Sequence, residues 1–167
     1  MTQIKTRDRM KAASGSTSAG PSGCTCFKLR RLSRRVTAVY DRALAETGMR
    51  VTQYSLLAHL RRLEQVSMSE LAEVLDMDRT TLTRNLKPLI EAHWVEVRPC
   101  RQDARIRLVR ITAAGDAQWR IARGRWQYAQ DEVKAAIGPT DLAALHGLLD
   151  RYLPLFRPAM GAEGGPE

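Results

Sequence analysis

The sequence predicts a mainly α-helical domain that carries one small β-hairpin. Alanine and leucine dominate the hydrophobic residues, and aromatic residues make up only 5% of the chain, a composition that favours helices over strands. Six segments space their apolar residues at the helical period, whereas only two short segments alternate with the period of a strand. With 167 residues, of which 44% are hydrophobic, the chain can form one domain with a buried core.

Two helices are predicted in the N-terminal part of the chain. Helix one is predicted over residues 27–46, where leucines, valines and Tyr40 recur at helical spacing. Helix two is predicted over residues 53–63. Thr52 is its predicted N-cap, because a threonine side chain can accept a hydrogen bond from an unpaired N–H group of the first turn.

A short helix and a longer one follow with few residues between them. Ser67 and Glu70 form a capping box, with serine at the N-cap and glutamate at N3, which begins a third helix ending near Asp76. Asp78 can cap a fourth helix. The buried stripe of this helix is predicted to consist of Leu82, Leu86, Leu89 and Ile90. Pro88 removes one backbone hydrogen bond within the helix, so a bend is expected there.

The pattern then changes from the helical period to that of strands. Residues 95–98 and residues 107–112 alternate between apolar and polar side chains. The segment between them, residues 99–106, is polar and basic. This pattern predicts a two-stranded hairpin with a long charged tip.

Two further helices are predicted after the hairpin. Thr112 can cap a fifth helix that runs to about residue 137, where Gly138 and Pro139 end it. The sixth helix carries apolar residues at helical spacing, namely Leu142, Leu145, Leu148, Leu149, Tyr152 and Leu153.

The net charge of +9 is concentrated in two blocks. Residues 1–35 carry nine lysines and arginines against Asp8 alone, and residues 78–112 carry eight against four acidic residues. Two basic blocks on a near-neutral chain indicate a polyanionic partner. The composition of residues 1–23 predicts a disordered basic arm, and that of residues 158–167 predicts a flexible tail.

Several classes of protein lack support in the sequence. No apolar run approaches the ~20 residues that cross a bilayer, and no signal peptide is evident, so we expect a cytoplasmic protein. The three cysteines and three histidines lack the spacing of a disulfide framework or a metal site. No phosphate loop, paired acid motif or nucleophile elbow occurs. We therefore expect neither an enzyme nor a cofactor.

Helices three and four, followed at once by the hairpin, are typical of a winged helix–turn–helix, whose core is predicted at residues 52–112. Because such a helix fits the major groove of B-form DNA, double-stranded DNA is the expected partner. The predicted DNA contacts are Thr80, Thr81, Arg84 and Lys87 on helix four, and Arg101, Arg105 and Arg107 on the wing. Arg84 can fork onto a guanine, Lys87 suits a phosphate, and the wing arginines suit phosphates and a narrow minor groove.

Residues 52–116 resemble the DNA-binding core of the MarR (multiple antibiotic resistance regulator) family. The matching stretches are residues 52–57, 69–72, 78–84, 103–105 and 111–115. The Asp-x-Arg pair of the wing, with a Thr-x-x-Gly downstream, is the most specific of them. The resemblance implies a sequence-specific transcriptional regulator, more often a repressor than an activator, in which Arg105 enters the minor groove and Asp103 stabilises the wing.

The resemblance also implies a homodimer. It spans about residues 27–157 of a MarR-like domain predicted at residues 24–157, in which helices at residues 27–46 and 113–157 form the dimerisation region. The sequence supports this, because helix six and Phe156 beyond it carry more apolar positions than a small winged-helix core could cover. Two-fold symmetry would present two recognition helices about 34 Å apart, which implies a palindromic operator.

A small-molecule effector is the first hypothesis for regulation. In the family, small aromatic or amphiphilic compounds often bind between the DNA-binding core and the dimerisation helices. The candidate pocket residues are Tyr40, Tyr54, His59, Arg30 and Arg34. Binding would release DNA by changing the spacing of the two recognition helices. Ordinary packing or surface exposure would explain each of these residues as well.

A thiol-based peroxide sensor is the second hypothesis. Cys26 followed by Phe27 resembles the organic-hydroperoxide-sensing branch of the family, in which a tyrosine fourteen residues on contacts the reactive cysteine, and Tyr40 stands at that spacing. Val51 stands where that branch has a second tyrosine. Cys24 could resolve an oxidised Cys26, although a Cys-x-Cys disulfide closes a strained ring. Cys26 could equally be a small apolar residue at the dimer interface.

An architectural protein that binds DNA without sequence preference is the third possibility, and the basic arm supports it. Such a protein would show a steep salt dependence with little difference between DNA sequences. A regulator instead needs a large ratio of specific to non-specific affinity.

Overall fold

The computed structural model describes residues 23–156 and confirms a mainly helical fold with one small antiparallel sheet. The helices are α1 (Thr25–Leu44), α2 (Val51–Leu63), α3 (Met68–Val74), α4 (Arg79–Glu91), α5 (Ala113–Ile137) and α6 (Pro139–Tyr152). The strands are β1 (Gln65–Ser67), β2 (Val95–Pro99) and β3 (Arg107–Ile111). Single 3₁₀ turns follow α1 and α6. Apart from Gly23, the predicted arm and tail lie outside the described residues.

The chain divides into two compact units, with the boundary after Arg35 within α1. The described part of the first unit, residues 23–35, is the first half of α1, and all of its side chains are exposed. The described part of the second unit, residues 36–156, contains the sheet and the other helices. None of the helices between residues 23 and 156 combines the length and apolar character of a membrane span.

The sheet has the strand order β1-β3-β2, and both strand pairs are antiparallel. The predicted hairpin is formed by β2 and β3, with Val97 opposite Val109. The prediction of two strands was incomplete, because β1 also pairs with β3 through Val66 opposite Val109. A strand of three residues is too short to show a period of two in the sequence. Val66 and Val109 are buried, so one face of the sheet covers the core and the other faces solvent.

The core of the second unit is built mainly from leucines. The fully buried leucines are Leu44, Leu56, Leu57, Leu60, Leu71, Leu82, Leu86 and Leu89. The buried stripe predicted for α4 is confirmed at Leu82, Leu86 and Leu89, but the prediction for Ile90 was wrong, since this side chain is 39% exposed. Successive residues of an α-helix are rotated by about 100° around its axis, so Ile90 points away from the buried stripe, whose last member is Leu89.

Two helix starts that the sequence predicted from capping residues are confirmed. Ser67 Oγ accepts a hydrogen bond from the N–H of Glu70 at 3.2 Å, and the Glu70 carboxylate accepts one from the N–H of Ser67 at 3.0 Å. The Asp78 carboxylate accepts from the N–H of Thr81 at 2.7 Å. Hydrogen bonds from Ser67 and Thr81 hold the pKa of the Glu70 and Asp78 carboxyls below their usual values. The Glu70 and Asp78 carboxylates are ionised at neutral pH, and the stability that they add to the caps is lost as the pH falls from their usual pKa values through these lowered ones.

The start of α2 differs from the prediction. The helix begins at Val51, so Thr52 lies inside it and is not its N-cap. The N–H of Val51 donates to the Asp41 carboxylate of α1 at 2.8 Å, and the N–H of Arg50 donates to Gln53 Oε1 at 2.8 Å. An acceptor supplied by another helix cannot be read from the local sequence pattern.

The base of the wing is tied to the start of α5. The Thr112 hydroxyl accepts a hydrogen bond from the N–H of Gly115 at 3.0 Å and donates one to the carbonyl of His93 at 2.7 Å. The N–H of Thr112 also donates to the carbonyl of Trp94 at 3.0 Å. These contacts confirm the predicted cap and fix α5 against the turn between α4 and β2.

The break between α5 and α6 also follows the prediction. Gly138 adopts a φ of 87°, which favours glycine, and Pro139 is the first residue of α6, where its missing N–H costs no helical hydrogen bond.

Candidate nucleic-acid interface

Helices α3 and α4 form a helix–turn–helix. The turn between them is closed by the N–H of Met77, which donates to the carbonyl of Ala72 at 2.9 Å. Asp76 lies in this turn in the left-handed conformation, with a φ of 51°. The turn and the Asp78 cap together define where α4 starts and which of its sides faces α3.

One exposed side of α4 carries three of the four contacts predicted on this helix. Thr80, Arg84 and Lys87 are exposed, and their spacing of four and three residues places them on one side of the helix, away from the buried leucines. Within residues 23–156, Arg84 forms no ion pair. Lys87 makes only a loose surface pair with Glu91, 3.9 Å away. The charged groups on this side are therefore available to an external partner.

Thr81, the fourth predicted contact on α4, lies in a different environment. It is half-buried, and its hydroxyl donates to the Asp78 carboxylate at 2.7 Å. Its N–H donates to the same carboxylate. Because the cap uses the hydroxyl proton, this geometry favours a role in positioning α4 over a direct base contact.

The tip of the wing is a closed turn with exposed arginines. The N–H of Cys100 donates to the carbonyl of Ile106 at 2.8 Å, and the N–H of Ile106 donates to the carbonyl of Asp103 at 3.0 Å. The Asp103 carboxylate accepts from the N–H of Arg105 at 2.9 Å. The predicted wing contacts Arg101, Arg105 and Arg107 are all exposed. Asp103 therefore holds the backbone that carries Arg105.

The structure adds two arginines that the sequence analysis did not single out. Arg98 on β2 and Arg110 on β3 lie on the solvent side of the sheet, and both pair with Glu96, Arg98 at 2.7 Å. The hydrogen bond from Arg110, followed by the charges of both arginines, holds the pKa of the Glu96 carboxyl below its usual value. The alternation of polar and buried residues along β2 and β3 was the signal that could have identified them.

The predicted pocket residue Tyr54 is packed in an aromatic stack. It is 5% exposed and lies between Trp119 and Trp126, with ring centroids 5.6 and 5.4 Å away. Burial raises the pKa of its hydroxyl. The guanidinium of Arg61 lies over the ring of Trp119, 4.2 Å from its centroid. Neither tryptophan was predicted as a site residue, although their spacing of seven residues puts them on one side of α5.

The other predicted pocket residues lie in different places. The Tyr40 hydroxyl donates to Gln130 of α5, and His59 Nδ1 hydrogen-bonds the carbonyl four residues earlier at 2.7 Å. Arg30 and Arg34 are exposed on the part of α1 that belongs to the first unit. The effector pocket stays a prediction.

The candidate redox residues Cys24 and Cys26 are free thiols with exposed side chains. Cys26 is the second residue of α1, and Val51, which replaces the expected second tyrosine, is the first residue of α2. The peroxide-sensing hypothesis also stays a prediction.

Comparison with known proteins gives a consistent set of relatives. A sequence model described as the MarR family matches residues 47–106. The multiple antibiotic resistance protein MarR of Escherichia coli (strain K12) is 32% identical over 133 residues, which cover 75% of this chain and 91% of that protein. The MarR protein of Salmonella typhimurium is 30% identical over 131 residues, with the same shares covered.

Two similar solved structures contain DNA. A cysteine-to-serine mutant of MarR from E. coli, complexed with operator DNA, has a TM-score of 0.70 and 26% identity, covering 76% of this chain and 91% of that one. The M. tuberculosis transcriptional regulator MOSR in complex with DNA has a TM-score of 0.68 and 35% identity, covering 80% and 98%.

Proposed function

The chain belongs to the MarR family of DNA-binding transcriptional regulators, and we propose that it is a homodimeric repressor of the cytoplasm. It binds a palindromic operator and is released from it by a small-molecule effector. Two of its structural relatives were solved with DNA, one of them with operator DNA, which supports the same partner here.

The observation that carries this proposal is the exposed side of α4. Thr80, Arg84 and Lys87 lie on one side of a helix whose other side is locked into the core by leucines. A helix held in this way can enter the major groove as a rigid body, with its first turns nearest the base edges. The wing then supplies Arg105 to the adjacent minor groove and Arg101 and Arg107 to phosphates.

A second copy of the chain would cover the apolar surface of α6 and the turn after it. Six large apolar side chains there are between 38% and 80% exposed, namely Leu148, Leu149, Tyr152, Leu153, Leu155 and Phe156. A contiguous apolar surface of this kind is unfavourable in water and is typical of a protein interface. An isologous dimer would pair two recognition helices with two half-sites of a palindrome.

Release by a ligand requires only a change in the distance between the two recognition helices of the dimer. Two recognition helices fit successive major grooves at one separation, so a ligand that favours another arrangement of the dimer lowers the affinity for DNA. A small aromatic or amphiphilic compound is the proposed effector.

Fluorescence anisotropy tests the proposal. Labelled DNA from upstream of the protein's own gene is compared with a scrambled duplex of equal length at the same salt concentration. We expect the upstream DNA to bind at least about 10³-fold more tightly. Equal binding of the two, with a steep dependence on salt, would contradict sequence-specific recognition and support an architectural protein.

Arg105→Ala is expected to weaken operator binding about tenfold, which corresponds to about 1.4 kcal/mol. The side chain would no longer reach the negative potential of a narrow minor groove, so the loss should be larger for an operator with A·T pairs at that position than for one with G·C pairs. Arg120→Ala on α5 is the matched control, since it removes an exposed arginine that pairs with Asp116 at 2.7 Å. If both variants bind equally well, the wing does not contribute through Arg105.

A further inference from the structure

The solvent side of the sheet contains a cavity of about 350 Å³, which we call the outer groove. Its polar lining consists of Gln65, Glu96, Arg98, Arg101, Gln102 and Arg110. Leu108 and Pro99 form the apolar part of the lining. The groove therefore joins three guanidinium groups and two side-chain amides, all of which are hydrogen-bond donors, around a single carboxylate.

The strand register explains why these groups converge. Arg110 on β3 lies opposite Gln65 on β1 and opposite Glu96 on β2, so the three residues form a row across the sheet. Arg98 follows Glu96 at a spacing of two along β2 and therefore points to the same face. Arg101 reaches the groove from the tip of the wing.

Glu96 orients the arginines but does not neutralise the groove. It pairs with Arg98 at 2.7 Å and with Arg110, and each guanidinium keeps further N–H donors for another acceptor. Within the described residues, Arg101 forms no ion pair. Three arginines against one carboxylate leave an excess of two positive charges, with Arg98 and Arg110 carried by the sheet and Arg101 by the wing tip. Such a site suits an oxyanion with several acceptor oxygens.

We propose that the outer groove binds a backbone phosphate of the DNA duplex through Arg98 and Arg110, next to the segment that the wing tip contacts. This inference rests on the proposed function. Arg101 belongs both to the wing tip and to the groove, so a duplex held by the wing passes close to the groove. A duplex carries one phosphate charge per about 1.7 Å of its axis, which supplies the matching anion along its whole length.

A purely structural role for the same residues predicts a different behaviour. A cross-strand pair such as Glu96 with Arg110 contributes to the stability of the sheet, at surface positions by a small amount. Its loss would lower the melting temperature without changing how the affinity for DNA depends on salt. The salt dependence therefore distinguishes the two roles.

The test compares two double variants of the full-length protein on operator DNA. Arg98→Gln with Arg110→Gln should reduce the slope of log affinity against log salt by about 0.9 for each groove that holds a phosphate. The matched control, Arg42→Gln with Arg120→Gln, removes two arginines that also pair with carboxylates, at 3.3 and 2.7 Å, and should leave the slope unchanged. Arg98→Lys with Arg110→Lys keeps both charges and should restore most of the slope.

Phosphate-by-phosphate substitution of the operator identifies the contact. A neutral methylphosphonate at the contacted position should weaken binding of the wild type severalfold and leave the Arg98→Gln, Arg110→Gln variant unaffected. Equal slopes for the glutamine variant and the control would overturn the proposal. A second outcome would also overturn it: the NMR signals of the arginine Nε–H groups shift on addition of inorganic phosphate at constant ionic strength, but no methylphosphonate position couples to the groove. Failure of the wild type to prefer its operator would instead contradict the proposed function.

Discussion

Replacement of Gly115 by alanine is expected to lower the free energy of unfolding by about 2–4 kcal/mol. The new Cβ would lie 2.1 Å from the carbonyl oxygen of Trp94, 2.8 Å from its carbonyl carbon and 2.9 Å from Cγ1 of Ile111. The first two of these atoms belong to the backbone and cannot rotate away. Helix α5 must therefore move away from the turn before β2, which weakens the hydrogen bonds that Thr112 makes to the same turn.

Chemical denaturation of the wild type and of the Gly115→Ala protein at one fixed concentration measures this effect, since the stability of a dimer depends on concentration. Gly124→Ala is the matched control on the same helix, because within residues 23–156 no atom beyond its chain neighbours and its own turns of helix backbone lies within 4 Å of the Cβ it would introduce. The control should retain its stability or gain up to about 1 kcal/mol, as alanine favours helix over glycine. A Gly115→Ala protein as stable as the control would show that α5 does not need this close approach.

Features that depend on residues close in the chain were accessible from the sequence. Ser67 with Glu70, Asp78 and Thr112 were all predicted to start helices, and each interaction links residues only three positions apart. The Asp41 acceptor for α2 and the strand β1 were missed, because both depend on partners brought together only by the fold.

The same distinction applies to the candidate interface. The exposure of Arg84 and Lys87 follows from the helical period, so it was predictable. The bond between the Thr81 hydroxyl and Asp78 depends on a side-chain rotamer, which no sequence pattern specifies. The outer groove could not be predicted, because the approach of Gln65 to Arg110 requires the third strand.

Arg84→Ala is expected to weaken operator binding by about 1–3 kcal/mol and to relax the preference for one base pair. Arg84 is exposed on α4 and forms no ion pair within residues 23–156, so its guanidinium is free to fork onto the O6 and N7 atoms of a guanine. Lys87→Ala should instead weaken operator and scrambled DNA by similar factors, because a phosphate contact carries no base information. Anisotropy titrations of both variants on both duplexes separate the two kinds of contact.

A cycle that combines Arg84→Ala with a base-pair change in the operator tests the contact itself. If Arg84 reads a guanine, replacing that G·C pair should weaken the wild type by about 1–3 kcal/mol and the alanine variant by almost nothing. Arg84→Lys should resemble alanine more than arginine in this cycle, since an ammonium group cannot make the bidentate contact. If Arg84→Ala weakens every duplex equally and no base pair couples to it, Arg84 does not read a base, and base recognition on α4 must come from other exposed residues such as Thr80.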